Sequence, residues 1–331
     1  MSAIIENKAS KFREDPGDPW VARMHHVDHY PAGNGEQGVR EEDKKGHTPG
    51  KDLDTDLPWR MYYGKNVPGF PVHGHRGFET VTIVLDGVID HHDSGGDHGR
   101  YAAGDVQWMT AGEGIRHTEM FPLVQDDKEN RTELFQLWLS LPSWNKLVPC
   151  DYKMLWREDI PVVEEENAGV KVIIGTWNGT KGLTATEPSW ASDEKSRLRI
   201  LLIDVEADAS ITIDGVSETL NRNLYFFEGE QVNVDGETLS GKRSLKLKGD
   251  ADFVIQGAGT LARLLLLEAE PIGEPIINDG PMIMNTMDEV LQGYRDYWET
   301  HYGEWEWDTK DPVHEKETPR MSSRGKNPGE A

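Results

Sequence analysis

Two strings in the sequence could hold a metal ion between them. The first is Val72-His73-Gly-His75-Arg-Gly-Phe-Glu79 and the second is Gly112-Glu-Gly-Ile-Arg-His117-Thr-Glu119. In an extended strand, residues i and i+2 point to the same side. His73 and His75 can therefore offer two imidazole nitrogens in one direction, while His117 and Glu119 offer an imidazole and a carboxylate. Three neutral imidazoles and one carboxylate suit a single divalent first-row ion and leave positions open when the ion takes six ligands. Fe(II) leads, and Mn, Co, Ni, Cu or Zn could occupy the same donors. A lone His-x-His is more often a surface or core feature than a ligand pair; two doublets separated by strands are much more specific. Glu79 follows the first pair closely and is a rival for the carboxylate position.

All 12 histidines lie outside residues 118–300. The second half of the chain cannot rebuild a three-histidine site, so one mononuclear ion per chain is expected. His25, His26, His29 and His47 fall in a polar stretch and read as solvated. His91 and His92 are adjacent, so one of them faces outward in a strand, and His98 falls in a turn. Trp108 and Phe78 read as core or pocket wall.

The elements that must position these residues are short strands punctuated by glycine. Residues 80–85 are β-branched and stop at Asp86-Gly87; 88–91, 106–109 and 133–139 continue the pattern. A less patterned, acidic connector over 149–167 follows. Strand signals then return at 170–174, 198–205, 210–213, 224–227, 253–255 and 262–267. Two β-rich halves of similar length point to an all-β chain of two barrels in tandem. The interior of the second barrel is expected to be filled by side chains such as Ile200, Leu202 and Phe227. One helix is readable. Thr286 is a good N-cap and Glu289 completes a capping box. Val290, Leu291, Tyr294, Tyr297 and Trp298 recur at helical spacing behind it, with Leu291, Tyr294 and Trp298 expected against the β scaffold. The resulting division is an irregular arm over 1–50, a metal-binding domain over 51–155, a metal-free domain plus helix over 156–307, and a disordered tail over 308–331.

Composition narrows the function classes. The 331 residues carry 35 Lys and Arg against 59 Asp and Glu, a formal charge of −24. That field repels phosphate backbones, so direct nucleic-acid binding is not expected. Cys150 is the one cysteine, which rules out an intrachain disulfide and a cysteine-based zinc or iron–sulfur site. The N-terminal stretch lacks a signal-like apolar segment, and no apolar run is long enough to span a bilayer. A cytoplasmic protein without membrane attachment is expected.

Four strings resemble the pirin family of bicupins within the cupin superfamily. They are residues 73–81, 104–112 and 114–120, and, far downstream, Gly280-Pro-Met-Ile-Met-Asn-Thr286. The resemblance covers about residues 55–300. It implies two jelly-roll-like cupin barrels with a C-terminal helix, and it maps the family's ligands onto His73, His75, His117 and Glu119. Glu79 fits the broader cupin spacing and would then sit near the metal. The resemblance further implies a metal-dependent dioxygenase that cleaves flavonols such as quercetin with O2 and releases carbon monoxide. Glu119 would be the catalytic base, and a small aromatic substrate and O2 the partners. It also implies an alternative, an iron-dependent redox-sensing regulator that binds a transcription factor or metabolic enzyme; the acidic surface suits a basic protein partner. This chain departs from the family in having Gly74 where proline is common, and in the segments 1–50 and 301–308.

Overall fold

The computed structural model describes residues 2–53 and 57–325. Antiparallel strands dominate, and Met287–Thr300 is the single α-helix among the described residues. The chain forms two compact units, each made of two separate stretches of the sequence. The first comprises Arg23–Arg157 together with residues from Glu274 onward; the second comprises residues up to Ala22 together with Glu158–Gly273. No helix among the described residues is long and apolar enough to cross a membrane.

The first unit is built from two sheets. One places Asp151–Leu155, Val106–Thr110, Phe78–Asp86, Asn130–Ser140 and Trp20–Tyr30 side by side in that order. The other runs Met321–Ser323, His98–Ala102, Val88–Asp93, Ile115–Met120 and Gly69–His75. Phe78–Asp86 is buried on both faces over most of its length, as its β-branched composition requires. In the second sheet Ile115–Met120 lies between two neighbours. It pairs with Gly69–His75 on one side and with Val88–Asp93 on the other.

Three expectations differ from what is observed here. The arm over 1–50 contains the strands Ile4–Ala9 and Trp20–Tyr30, the former paired with Arg243–Leu247 in the second unit. The tail expected to be disordered is ordered from 308 to 325 and adds the strand Met321–Ser323 to His98–Ala102; residues 326–331 lie outside the described residues. The helix has its capping box, with Thr286 Oγ1 accepting from the Glu289 amide and the Glu289 carboxylate accepting from the Thr286 amide. Its buried face differs from the expected one, however. Val290 and Gly293 are buried and Tyr294 and Tyr297 pack on Met282, Met284 and Tyr302, whereas Leu291 and Trp298 are 47% and 75% exposed. The apolar residues are spread over more than one stripe of the helix, and spacing alone did not choose between the stripes.

In the second unit a seven-stranded sheet and a four-stranded sheet enclose an apolar core. Leu201, Ile203, Leu224, Phe226, Leu264 and Leu266 fill it. The expected Ile200, Leu202 and Phe227 are also buried but alternate to the opposite face of their strands. Both faces of Arg199–Val205 are apolar, so its sequence has no alternation to fix the register. On the core-facing side, Arg199 and Arg222 both pair across the ladder with Glu268 and bind its carboxylate. Glu268 and Arg222 have no solvent exposure. Removing one partner of such a buried network strands the others' charges, at a cost of about 3–5 kcal/mol. Glu268→Ala should lower stability by about that amount in urea denaturation followed by tryptophan fluorescence. Replacing Arg199, Arg222 and Glu268 together by Met, Met and Leu should recover most of the loss.

Candidate metal centre

The strand Gly69–His75 carries one extra residue relative to its partner. Phe70 lies opposite Glu119, but it is His73, not Val72, that lies opposite His117, because the register shifts between Phe70 and His73. Directly opposed residues share a face. The bulge thus turns His73 and His75 to the side on which His117 and Glu119 already stand. On the far side of Ile115–Met120, His91 is opposite Glu119 and Asp93 opposite His117, so both share that face too.

One ligating nitrogen from each of His73, His75 and His117 lies within 4.8 Å of the others. The ring centroids are 4.5 Å apart for His73 and His117, 4.7 Å for His73 and His75, and 5.0 Å for His75 and His117. His73 donates from Nδ1 to the Pro71 carbonyl at 2.9 Å, which leaves the lone pair on Nε2. His117 is 0% exposed and neither of its ring nitrogens has a hydrogen-bond partner; Nδ1 of His75 lacks one as well. Burial, then the neighbouring imidazoles, holds His75 and His117 well below the usual histidine range, and burial lowers His73. Neutral, desolvated imidazoles with unused nitrogens fit a divalent cation.

Glu119 stands beside this trio rather than within it. Its Oε2 is 3.9 Å from His117 Nε2. Gln136 Nε2 donates to both carboxylate oxygens at 3.0 Å, and the Thr82 hydroxyl lies 3.2 Å from one of them and 2.7 Å from Gln136 Oε1. The rival Glu79 is engaged elsewhere: Trp108 Nε1 and Thr110 Oγ1 donate to it at 2.9 and 2.7 Å, and it is not among the converging donors. The site opens on a cavity of about 220 Å³ walled by Phe70, Phe121, Leu134 and Trp138, with His73, His75, Glu119 and Gln136 at its polar end. A second cavity of about 630 Å³ shares Phe70 and His73 with it and adds Lys65 and Lys310.

Several contributors were not identified from sequence. Gln136 and Thr82 sit on other strands, and only the pairing of Asn130–Ser140 with Phe78–Asp86, which places Gln136 opposite Thr82, brings them to Glu119. His91 is fully buried, 3.0 Å from Asp93 Oδ2 and with its ring 5.4 Å from that of His117. His25 and His26, expected to be solvated, are buried. His25 bonds Glu133 at 2.8 Å. His26 lines the cavity and bonds the Tyr62 hydroxyl, which donates to Asp28. His29 is exposed, as expected, and bonds Glu129; His47 stacks on Trp59. The departure at Gly74 also has a steric reason: a Cβ there would lie 2.8 Å from the Tyr297 ring.

Two antiparallel barrel units, with three histidines and a carboxylate gathered on one barrel face, define a bicupin with one such centre in its first unit. The Pirin family model matches residues 52–139, and the model of the pirin C-terminal cupin domain matches residues 200–303. A pirin-like protein of Solanum lycopersicum is 36% identical over 251 residues, 75% of this chain and 81% of that protein. Pirin-1 of Arabidopsis thaliana is 38% identical over 236 residues, 69% of this chain and 76% of that one. The crystal structure of quercetin 2,3-dioxygenase from Acinetobacter baumannii is similar with a TM-score of 0.71 at 25% identity, covering 92% of this chain and 99% of that one. The chain belongs to the pirin family.

The buried histidines set a pH dependence. Burial, with the neighbouring His25 and Arg60, lowers His26 to about 3; burial, with His314 and His91 nearby, lowers His92 to about 3. Below about pH 6.5 the unfolded chain takes up protons that these groups refuse when folded, so stability falls as pH falls. Asp28 acts in the opposite sense. Burial raises it to about 6, so its contribution grows as pH drops through that value and offsets about one histidine. The metal-free protein should therefore lose stability between pH 6.5 and 5, by about 1.4 kcal/mol per pH unit for each net proton. His26→Asn should flatten the slope by about one proton in urea midpoints measured across that range.

Proposed function

We propose that this protein is a metal-dependent dioxygenase of flavonols such as quercetin, with His73, His75, His117 and Glu119 serving one divalent ion, Fe(II) foremost. The observation that carries the reading is the convergence of three neutral imidazoles, two buried and one half-buried, beside a carboxylate at the polar end of an apolar cavity. The likeness to the Acinetobacter quercetin 2,3-dioxygenase supports the same substrate class. The ion, when bound, supplies Lewis acidity to a substrate oxygen and a setting for O2 chemistry.

The rest falls to the chain's own side chains. Glu119 takes the proton of the flavonol 3-hydroxyl: the O–H bond breaks, its electron pair stays on the flavonol oxygen, and the proton moves to a carboxylate oxygen. The Gln136 amide holds that carboxylate in place on both oxygens. Phe70, Phe121, Leu134 and Trp138 bind the ring system and exclude water. Lys65 and Lys310 outweigh Asp311 in the lining of the adjoining cavity and favour an anionic ligand. Two carbon–carbon bonds of the heterocycle break, both atoms of O2 enter the product and carbon monoxide leaves, with no external reductant.

Quercetin should lose its long-wavelength absorbance under O2 with release of carbon monoxide, and a flavonoid lacking the 3-hydroxyl should be inert. Glu119→Gln keeps the shape but removes the proton acceptor, so turnover per bound ion should fall by about 10²–10⁴-fold. If quercetin is untouched by protein loaded in turn with Fe, Mn, Co, Ni and Cu, the enzyme reading fails and a redox-sensing regulator of a protein partner takes its place.

A further inference from the structure

The sheet that carries the histidine trio bears a second set of imidazoles on its other face. His92 and His98 are directly opposed across the pairing of Val88–Asp93 with His98–Ala102. Alternation places His92 on the side opposite His91 and the trio. A third imidazole, His314, arrives from the C-terminal tail. One ligating nitrogen from each of the three lies within 4.8 Å of the others. We propose that His92, His98 and His314 form a second metal site, for a borderline divalent cation of the zinc type, distinct from the site at His73, His75 and His117.

The donor spacing fits. Nδ1 of His98 and Nε2 of His314 are 3.1 Å apart. Two nitrogens on one ion, each at about 2.0–2.1 Å, are separated by roughly 3.0–3.4 Å. Nδ1 of His92 is buried and has no hydrogen-bond partner. The three rings stack on one another, His92 on His314 at 4.5 Å and on His98 at 5.9 Å and His98 on His314 at 5.3 Å, so ligation asks His92 and one of its neighbours to turn about their Cβ–Cγ bonds and bring the ring planes onto a shared point. At Nδ1 of His92 that turn gives up no hydrogen bond. Three imidazoles without a thiolate suit zinc and its neighbours, and leave a fourth position for solvent.

The surroundings are those of a built site. The His314 amide donates to Asp90 Oδ2 at 2.9 Å, and its carbonyl accepts from Gln37 Nε2 and Arg100 at 2.8 and 3.2 Å. Asp90 and Arg100 form a buried two-point ion pair. Asp90 Oδ1 also lies 3.3 Å from His314 Nδ1, a carboxylate behind an imidazole of the sort that orients metal-binding histidines. Trp307 closes the group, its ring 4.6 Å from His92 and 5.3 Å from His98, with its indole N–H donating to the Asp93 carbonyl. The bland alternative, a stack of histidines held by packing and by the His98–His314 hydrogen bond, leaves the buried His92 nitrogen unexplained.

Titrating the metal-free protein with Zn(II), by calorimetry and elemental analysis, tests this. His98→Ala and His314→Ala should each remove one equivalent, whereas His75→Ala should leave that equivalent in place. In the His75→Ala background Co(II) should give a d–d absorption from the outer site alone, and adding His314→Ala should abolish it. The peptide groups of His314, not its ring, tie the tail to Asp90, Gln37 and Arg100, so His314→Ala should keep the metal-free tail as resistant to limited proteolysis as in the parent; His98→Ala provides an independent check. A Zn(II) stoichiometry unchanged by both His98→Ala and His314→Ala overturns the proposal, whether the parent binds one ion or two.

Discussion

The geometry of the centre depends on one extra residue in the strand Gly69–His75. Without the shift between Phe70 and His73, Val72 would oppose His117 and both histidines of the first pair would point away from the site. The bulge also frees backbone groups from the ladder, and the structure reuses them. The Pro71 carbonyl accepts from His73 Nδ1 and so fixes which nitrogen faces the other imidazoles. The Val72 amide donates to the Lys310 carbonyl at 2.7 Å, drawing the tail toward the strand. Proline at position 71 has no amide to leave unsatisfied there.

How much of this was legible follows from which interactions were local. His73 with His75, and His117 with Glu119, are i, i+2 pairs, so strand periodicity placed each doublet on one face. That the two doublets meet depends on a register that no spacing rule supplies; the pairing of two His-bearing doublets suggests a shared ion, and the resemblance to pirins points to the same four residues. Gln136 and Thr82 could not be found from sequence, because an amide and a hydroxyl in β-strands carry no signal until a carboxylate lies opposite. The register of Arg199–Val205 was lost for a related reason: an apolar run buried on both faces shows no alternation. The helix cap is legible in the sequence because its two hydrogen bonds join residues three apart, whereas the buried stripe depends on Met282, Met284 and Tyr302, outside the helix.

Composition reports burial of apolar surface and little else, so it does not reveal the order of the described residues near the two chain ends. The tail is polar, yet Arg100 donates to the carbonyls of His314, Glu315, Lys316 and Thr318 while Asp90 holds the guanidinium from below. One buried ion pair thus satisfies a run of backbone acceptors that an apolar segment would have had to satisfy by regular structure. The N-terminal strand Ile4–Ala9 is similar. Its side chains are half-buried or exposed, and the ladder to Arg243–Leu247, rather than a hydrophobic face, positions it. In both places hydrogen bonding to a preformed partner substitutes for the hydrophobic pattern that sequence reasoning relies on.

The two barrels show why one of them suits an ion and the other does not. In the second unit the guanidinium groups of Arg199 and Arg222 satisfy the buried Glu268 from within, while Asp214 and the carbonyls of Lys248 and Ala251 take up further donors. That network has positive charge of its own and leaves no lone pairs aimed at a shared point. In the first unit both nitrogens of His117 and Nδ1 of His75 are buried without partners. Each such atom costs about 1–3 kcal/mol when nothing replaces its lost water. Three of them cost several kcal/mol, a large share of the roughly 5–15 kcal/mol that separates folded from unfolded domains. A cation that binds only the folded arrangement restores that loss and adds stability in proportion to its affinity. The same atoms that make the metal-free trio expensive therefore make it selective for a ligand that accepts lone pairs, and a hydrogen-bonding side chain at the same place would have removed both the cost and the site.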